Sequence, residues 1–397
     1  MNTAEIQALN DQYVINTYGA RKLAITRGEG ITLWDADGKE YLDCFAGIAV
    51  CNLGHCHPAV TEAIREQAGK LIHVSNLYYI EPQVNLAERL SKQCFAQKWF
   101  FCNGGAEANE AAIKLARRYW AQKGTPKPGI VTAEQSFHGR TLATITATGQ
   151  PKYRQGFEPM MPGFSYVQFN DIAALENAIT PEVGAVLIEP IQGEGGVRMP
   201  VEGYLRAVRE LCTKKNVLLI FDEVQTGLGR TGALFAHQGY GVTPDIMTLA
   251  KGLANGVPIG AMGCTDEAAT GFGPGMHACT FGGNPLSTAA SVATIDTLTA
   301  PGFIEAAAKT GDYFLGRLNA LAADHAIIVD VRGKGLMIGV EFKEAVSPLI
   351  GKMLDAGVIC GPAGPNVLRF LPPLIITTEQ IDRVMAVLSA CLGELGW

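Results

Sequence analysis

The sequence predicts an α/β fold around a mostly parallel sheet, with a smaller α+β part drawn from both chain ends. Three observations predict it. Short apolar runs alternate with helical patterns through the middle of the chain. Two of these runs, Ala185–Ile188 and Val217–Phe221, are continuously apolar, as strands buried on both faces must be. The C-terminal region changes rhythm, to paired strands followed by one closing helix. Strand, helix, strand in alternation implies parallel strands joined by crossover helices.

The elements follow in order. Ile31–Gly38 and Glu40–Asp43 read as a β-hairpin. Lys98–Cys102 is a short strand that meets Asn103, Gly104 and Gly105 and then a helix. In that helix Ala108, Ala111, Ala112, Leu115, Ala116 and Tyr119 share one face at helical spacing. A helix over Tyr204–Lys214 separates the two buried strands. Ala326–Val331 and Leu336–Phe342 are strands around Gly333 and Gly335, which suggests a hairpin or close turn. Gly361-Pro-Ala-Gly-Pro365 is a turn-rich break. The closing helix starts near Thr378, where Thr377 and Gln380 can form a capping box. Ile381, Val384, Met385, Leu388 and Leu392 are its core stripe. The chain's 397 residues exceed what a single core usually serves. The expected division is an N-terminal segment over 1–55 that joins the small domain, a large domain over 56–290 and a C-terminal small domain over 291–397.

The bulk numbers exclude several function classes. The formal charge is −6, from 32 Lys and Arg against 38 Asp and Glu, and no basic run occurs. That argues against a nucleic-acid or anionic-membrane partner. Ten cysteines are scattered without a CxxC pair, which reads as reduced thiols in a cytoplasmic protein. The polar stretch Met1–Asn10 lacks the basic and apolar regions of a signal peptide. No apolar run approaches the roughly 20 residues of a transmembrane helix.

Chemistry concentrates at three places. Asp222 ends the apolar run Val217–Phe221, and open α/β sheets bind ligands beyond the carboxyl ends of their strands. Lys251 follows in Thr248-Leu-Ala-Lys-Gly252. An apolar approach favours burial, which lowers an ammonium's pKa and frees a nucleophilic amine. Asn103-Gly-Gly-Ala106 opens a helix, where backbone N–H groups and the positive helix end can hold a phosphate. Alone, each has a plain reading: a loop, a cap, a solvated lysine. Together they are the three supports of pyridoxal 5′-phosphate (PLP): an imine-forming lysine, an acid for the pyridine nitrogen and a phosphate cup.

Successive motifs carry a resemblance over nearly the whole chain. They are Asn103-Gly-Gly-Ala-Glu-Ala-Asn-Glu110, Phe137-His-Gly-Arg140, Glu189-Pro-Ile-Gln-Gly-Glu194, Phe221-Asp-Glu-Val-Gln-Thr-Gly-Leu-Gly-Arg-Thr-Gly232, Lys251-Gly252 and Thr280-Phe-Gly-Gly-Asn-Pro285. In this order they resemble the class III, or ω-, aminotransferases. The resemblance implies the fold-type-I architecture of PLP-dependent transferases, with Lys251 as the catalytic and cofactor-holding lysine. It implies that Gly104, Gly105 and Ala106 hold the phosphate and that Asp222 pairs with the ring nitrogen. It also implies that Phe137 and Val224 cover the two ring faces, and that Gln225 meets the ring's phenolic oxygen. Thr280 would reach the phosphate of a neighbouring subunit, so the active unit would be a homodimer with shared sites.

Within the family the details resemble the acetylornithine aminotransferase branch. Arg140 matches the arginine for the donor's α-carboxylate, and Arg369 the one for the α-carboxylate of glutamate or 2-oxoglutarate. Glu194 matches the carboxylate that pairs with Arg369 during the first half-reaction, and Tyr18 an aromatic near the substrate. Ile48 stands where ornithine aminotransferases carry a tyrosine. The implied reaction is transamination of N2-acetyl-L-ornithine with 2-oxoglutarate, in arginine biosynthesis. Succinylornithine, ornithine and 4-aminobutyrate are alternative donors. A PLP-binding protein without turnover is the alternative from another class, against which the paired carboxylate clamps argue. Two departures stand out: Gly104 where the family usually has serine, and His277-Ala-Cys-Thr280 where it usually has His-Gly-Ser/Thr-Thr.

Two decoys remain. Gly227-Leu-Gly-Arg-Thr-Gly232 fits GxGxxG, but Asp222-Glu-Val-Gln-Thr226 separates it from the strand, where a dinucleotide turn must be immediate. Cys51, His55, Cys56 and His57 crowd together without the spacing of paired metal ligands, so no metal is expected. Gly54-His-Cys-His-Pro58 reads instead as a turn into a helix, with Pro58 near its first position.

Overall fold

The computed structural model describes residues 1–19 and 21–397. Its centre is a seven-stranded sheet in the order Lys98–Cys102, Gly260–Cys264, Ile246–Leu249, Leu218–Asp222, Val183–Ile188, Gly129–Ala133, Phe164–Val167. The last five strands are mutually parallel. Gly260–Cys264 runs antiparallel to both its neighbours, so Lys98–Cys102 points the same way as the five.

The continuous apolar runs are explained by a split of alternate residues between two layers. Ala185, Leu187, Leu218 and Ile220 pack with Ala112, Leu115 and Ala116 of the helix Gly105–Gln122. Val186, Ile188, Leu219 and Phe221 pack on the other face, with Leu205 and Val208 of the helix Tyr204–Lys215. Each strand residue thus needs an apolar side chain, because neither face meets water.

Two four-stranded sheets flank this core. In one, Ile25–Glu29, Thr32–Asp35 and Glu40–Asp43 form a meander, which Val358–Ile359 extends in parallel. The two ends of the chain therefore share a sheet. The other contains Ile328–Lys334, Met337–Phe342, Val367–Phe370 and Gly361–Pro362. Its hairpin starts two residues later than expected and reaches Lys334, because Ile328 bonds back to His325 to close the preceding helix end. The closing helix Thr378–Leu395 has the expected Thr377/Gln380 capping box, and its stripe from Ile381 to Leu392 is buried. The helix Pro285–Leu298 crosses the expected boundary at residue 290. Pro58 begins the helix Pro58–Ala68. No helix among the described residues is long and apolar enough to cross a membrane.

Candidate active site

The carboxyl ends of five strands supply the site. Asp222 is the last residue of the central strand Leu218–Asp222. Asn103–Ala106 follow Lys98–Cys102, Phe137–Arg140 follow Gly129–Ala133, Glu189 and Glu194 follow Val183–Ile188, and Lys251 follows Ile246–Leu249. The parallel direction brings these turns to one edge of the sheet, where they line a cavity of about 410 Å³. Gly104, Gly105, Ala106, Phe137, Arg140, Glu194, Asp222, Val224, Gln225 and Lys251 all face it.

Asp222 is buried and held from three sides. Its Oδ2 accepts from Asn109 Nδ2 at 2.8 Å and pairs with His138 Nδ1 at 2.8 Å. The Val224 N–H donates to Oδ1 at 3.0 Å. Asn109 is oriented in turn, donating to the His138 carbonyl and accepting from Thr248 Oγ1, each at 2.8 Å. A carboxylate tied this way keeps its direction without a ligand. His138 Nε2 is buried without a partner. Sequence reasoning gave Asn109 and His138 no role, although both lie inside quoted motifs.

Lys251 sits at φ +43°, a conformation that costs a non-glycine residue energy and tends to persist at functional sites. Burial lowers its pKa to about 8; Arg369 adds to the lowering, while Glu194, Asp222 and Glu189 oppose it. The ammonium still predominates near pH 7, but the neutral fraction is far larger than an ordinary lysine has there. Glu189, also unassigned by the sequence reading, is pushed up to about 7, chiefly by burial. It accepts from the N–H groups of Phe137 at 3.1 Å and Gly193 at 3.2 Å, so one carboxyl joins two loops of the site.

Arg369 comes from the C-terminal sheet, on strand Val367–Phe370, and is 1% exposed. Its Nη1 donates to Glu194 Oε1 at 2.6 Å and to Gln225 Oε1 at 3.2 Å. Burial alone would raise the Glu194 carboxyl. The charge and hydrogen bond of Arg369, with the charge of Lys251, outweigh it and hold the group below its usual range. Arg140 lies across the site, its guanidinium 4.2 Å from the Tyr153 ring centre and 5.6 Å from that of Phe137.

The cup is an open helix end. The helix Gly105–Gln122 has no side-chain cap at Gly104, so its first N–H groups are available to a ligand. Gly105 is required by close approach: a Cβ there would lie 2.8 Å from Val224 Cγ1. Gly104 meets nothing within 4 Å, so a hydroxyl there is not excluded by space. An anion cradle, a fixed carboxylate and a buried amine in one cavity fit PLP.

The sequence model for class III aminotransferases matches residues 14–392. The chain belongs to that family. This aminotransferase is 50% identical over 386 residues to an acetylornithine aminotransferase from Caldanaerobacter subterraneus subsp. tengcongensis, covering 97% of this chain and 98% of that one. Among solved structures, an N-acetylornithine aminotransferase from Stenotrophomonas maltophilia superposes with a TM-score of 0.84 at 37% identity, covering 98% of each chain. An ornithine aminotransferase from Toxoplasma gondii, solved with PLP at partial occupancy in its active site, gives 0.94 at 34% identity, over 98% of this chain and 94% of that one. The class III aminotransferases depend on PLP, so the cofactor expected from the sequence is that of the family.

Two expected site residues of this aminotransferase lie outside the main cavity. Thr280 is exposed on the surface. Tyr18 is exposed and lines a second cavity with Arg140. The crowded His55 bonds Asp43 through Nε2 at 2.7 Å, a pairing that raises its pKa to about 10.

Proposed function

We propose that this enzyme transfers the terminal amine of N2-acetyl-L-ornithine to 2-oxoglutarate, giving N-acetyl-L-glutamate 5-semialdehyde and L-glutamate, a step of arginine biosynthesis. The observation that carries this reading is the 2.6 Å Arg369–Glu194 pair opposite an uncovered Arg140. With Glu194 neutralising Arg369 through Nη1, Arg369 is the weaker attraction for a second carboxylate, and a donor whose carboxylate is remote from its reacting amine would use Arg140. When the five-carbon dicarboxylate enters, its α-carboxylate displaces Glu194 and its distal carboxylate takes Arg140. One site thus serves both half-reactions. The relatives' names agree with this choice of donor.

Bound PLP supplies an aldehyde for the amine and a pyridinium ring that takes up electrons from the carbon losing its proton. The protein's residues divide the remaining work. Asp222 would keep the ring nitrogen protonated. The backbone N–H groups of Gly104, Gly105 and Ala106 would hold the phosphate, Phe137 and Val224 would enclose the ring, and Gln225 would meet its oxygen. Lys251 would hold the cofactor's aldehyde carbon and, as a free amine, would take the proton from the donor's δ-carbon and deliver it to that aldehyde-derived carbon. Tyr18 lies beside the donor at Arg140.

The same reading includes a cytoplasmic homodimer. Leu71, Ile72, Leu77, Tyr78, Tyr79 and Phe281 are exposed apolar residues. Their two segments are joined by the His73–Phe281 ring contact and by Asn76 bonded to the Gly282 carbonyl, so the patch surrounds Thr280. Apolar surface of this kind supports an interface here, which would bring Thr280 to the partner's phosphate. Leu77→Asp with Tyr78→Glu is expected to give monomers that retain PLP poorly. Sedimentation and cofactor absorbance check this; a variant that remains dimeric overturns the placement.

A donor panel tests the reaction. With 2-oxoglutarate fixed, kcat/KM is expected to be highest for N-acetylornithine among N-acetylornithine, ornithine and 4-aminobutyrate. Preference for either unacylated amine sinks the assignment.

A further inference from the structure

A second cavity, of about 310 Å³, meets Lys251's pocket at Arg140 and is lined by Thr17, Tyr18, Arg140, Leu142, Ile145 and Phe157. Among the described residues, Arg140 is the only one the two cavities share. The second is open, with large apolar side chains beside polar ones: Tyr18, Leu142 and Phe157 are 84%, 65% and 59% exposed. Leu142 and Ile145 stand three residues apart on the short helix Leu142–Ala147, hence on one face, with Ile145 buried beneath the cleft. Three large apolar side chains left in water around one arginine call for a ligand that brings a carboxylate and an apolar group together.

An N-acylated amino acid is such a ligand. Its carboxylate and acylamino group leave the same carbon, and its amine-bearing arm leaves by a third bond. If Arg140 grips the carboxylate and the arm points toward Lys251, the acyl group must diverge from the arm. The cleft of Tyr18, Leu142 and Phe157 touches Arg140 without sharing the rest of Lys251's pocket, so it offers space off the arm's path. We propose that it is the acyl subsite, and that Leu142 and Phe157 determine the preference for an acylated over a free donor. The acyl methyl would rest on Leu142 and Phe157, while the open rim leaves the amide hydrated. The inference rests on the assignment of Arg140 to the donor carboxylate.

The test compares wild type with Leu142→Ala and Phe157→Ala, using N-acetylornithine and ornithine as donors. Both positions are exposed, so both variants should fold. The ratio of kcat/KM for the acylated donor to that for the free donor is expected to fall about tenfold in each, mainly through KM. Binding of N-acetylnorvaline, which keeps the chain and acyl group but has no amine to transfer, is expected to weaken by a similar factor in calorimetry. A parallel fall for both donors, or unchanged N-acetylnorvaline binding, overturns the subsite and leaves the reaction standing. Wild type that uses ornithine but not N-acetylornithine overturns the donor reading as well.

Discussion

Lys251→Ala is expected to lower steady-state transamination by on the order of 10⁴-fold or more. On the proposed mechanism one side chain both anchors the cofactor and carries the proton, and each task contributes separately. Assay of purified variant with N-acetylornithine and 2-oxoglutarate checks this, and near-wild-type turnover removes Lys251 from the mechanism. The lowered pKa adds a signature in the protein without cofactor. Lys251 sits at about 8 when folded, below its ordinary 10.5. The unfolded chain therefore binds more protons than the folded one between those values, and stability rises with pH across that window. Below pH 8 the buried ammonium is a full penalty. The alanine variant should be at least as stable as wild type at pH 7, with its advantage fading toward pH 10.5. Attachment of PLP to wild type should quicken as pH rises through about 8, as the amine loses its proton.

Asp222 is expected to have the next largest effect. Asp222→Asn keeps the shape and removes the charge proposed to hold the ring nitrogen protonated, so kcat should fall on the order of 10³-fold. Asp222→Ala also leaves His138 Nδ1, the Asn109 amide and the Val224 N–H without their acceptor. Each buried group left unpaired costs about 1–3 kcal/mol, so the alanine variant should unfold at lower denaturant than the asparagine one. Equal activity in wild type and Asp222→Asn would remove the carboxylate from the electronic role.

The different legibility of these residues has a physical basis. Strand Lys98–Cys102, the open helix after it, and Asp222 at a strand end are written in local order: an apolar run, a turn, a helical stripe. The capping box at Thr377 and Gln380 is local too. The clamp around Asp222 is not. His138 and Asn109 stand 84 and 113 positions away from it in the chain, and only sheet order brings them together. Glu189 was quoted in a motif but its work, joining Phe137 to Gly193, depends on two loops meeting. Arg369 could be named only through resemblance, because it reaches the site from a different sheet. The hairpin after His325 shifted because a turn bond, invisible in residue pattern, set its start.

The most direct test of the central claim is an absorbance spectrum of the purified protein with PLP, taken before and after N-acetylornithine is added without 2-oxoglutarate. The expected result is the absorbance of cofactor bound to Lys251, converted by the donor to that of the aminated cofactor. A lysine-bound absorbance that ignores N-acetylornithine would contradict the donor. No such absorbance after PLP is added would contradict the role of Lys251 itself.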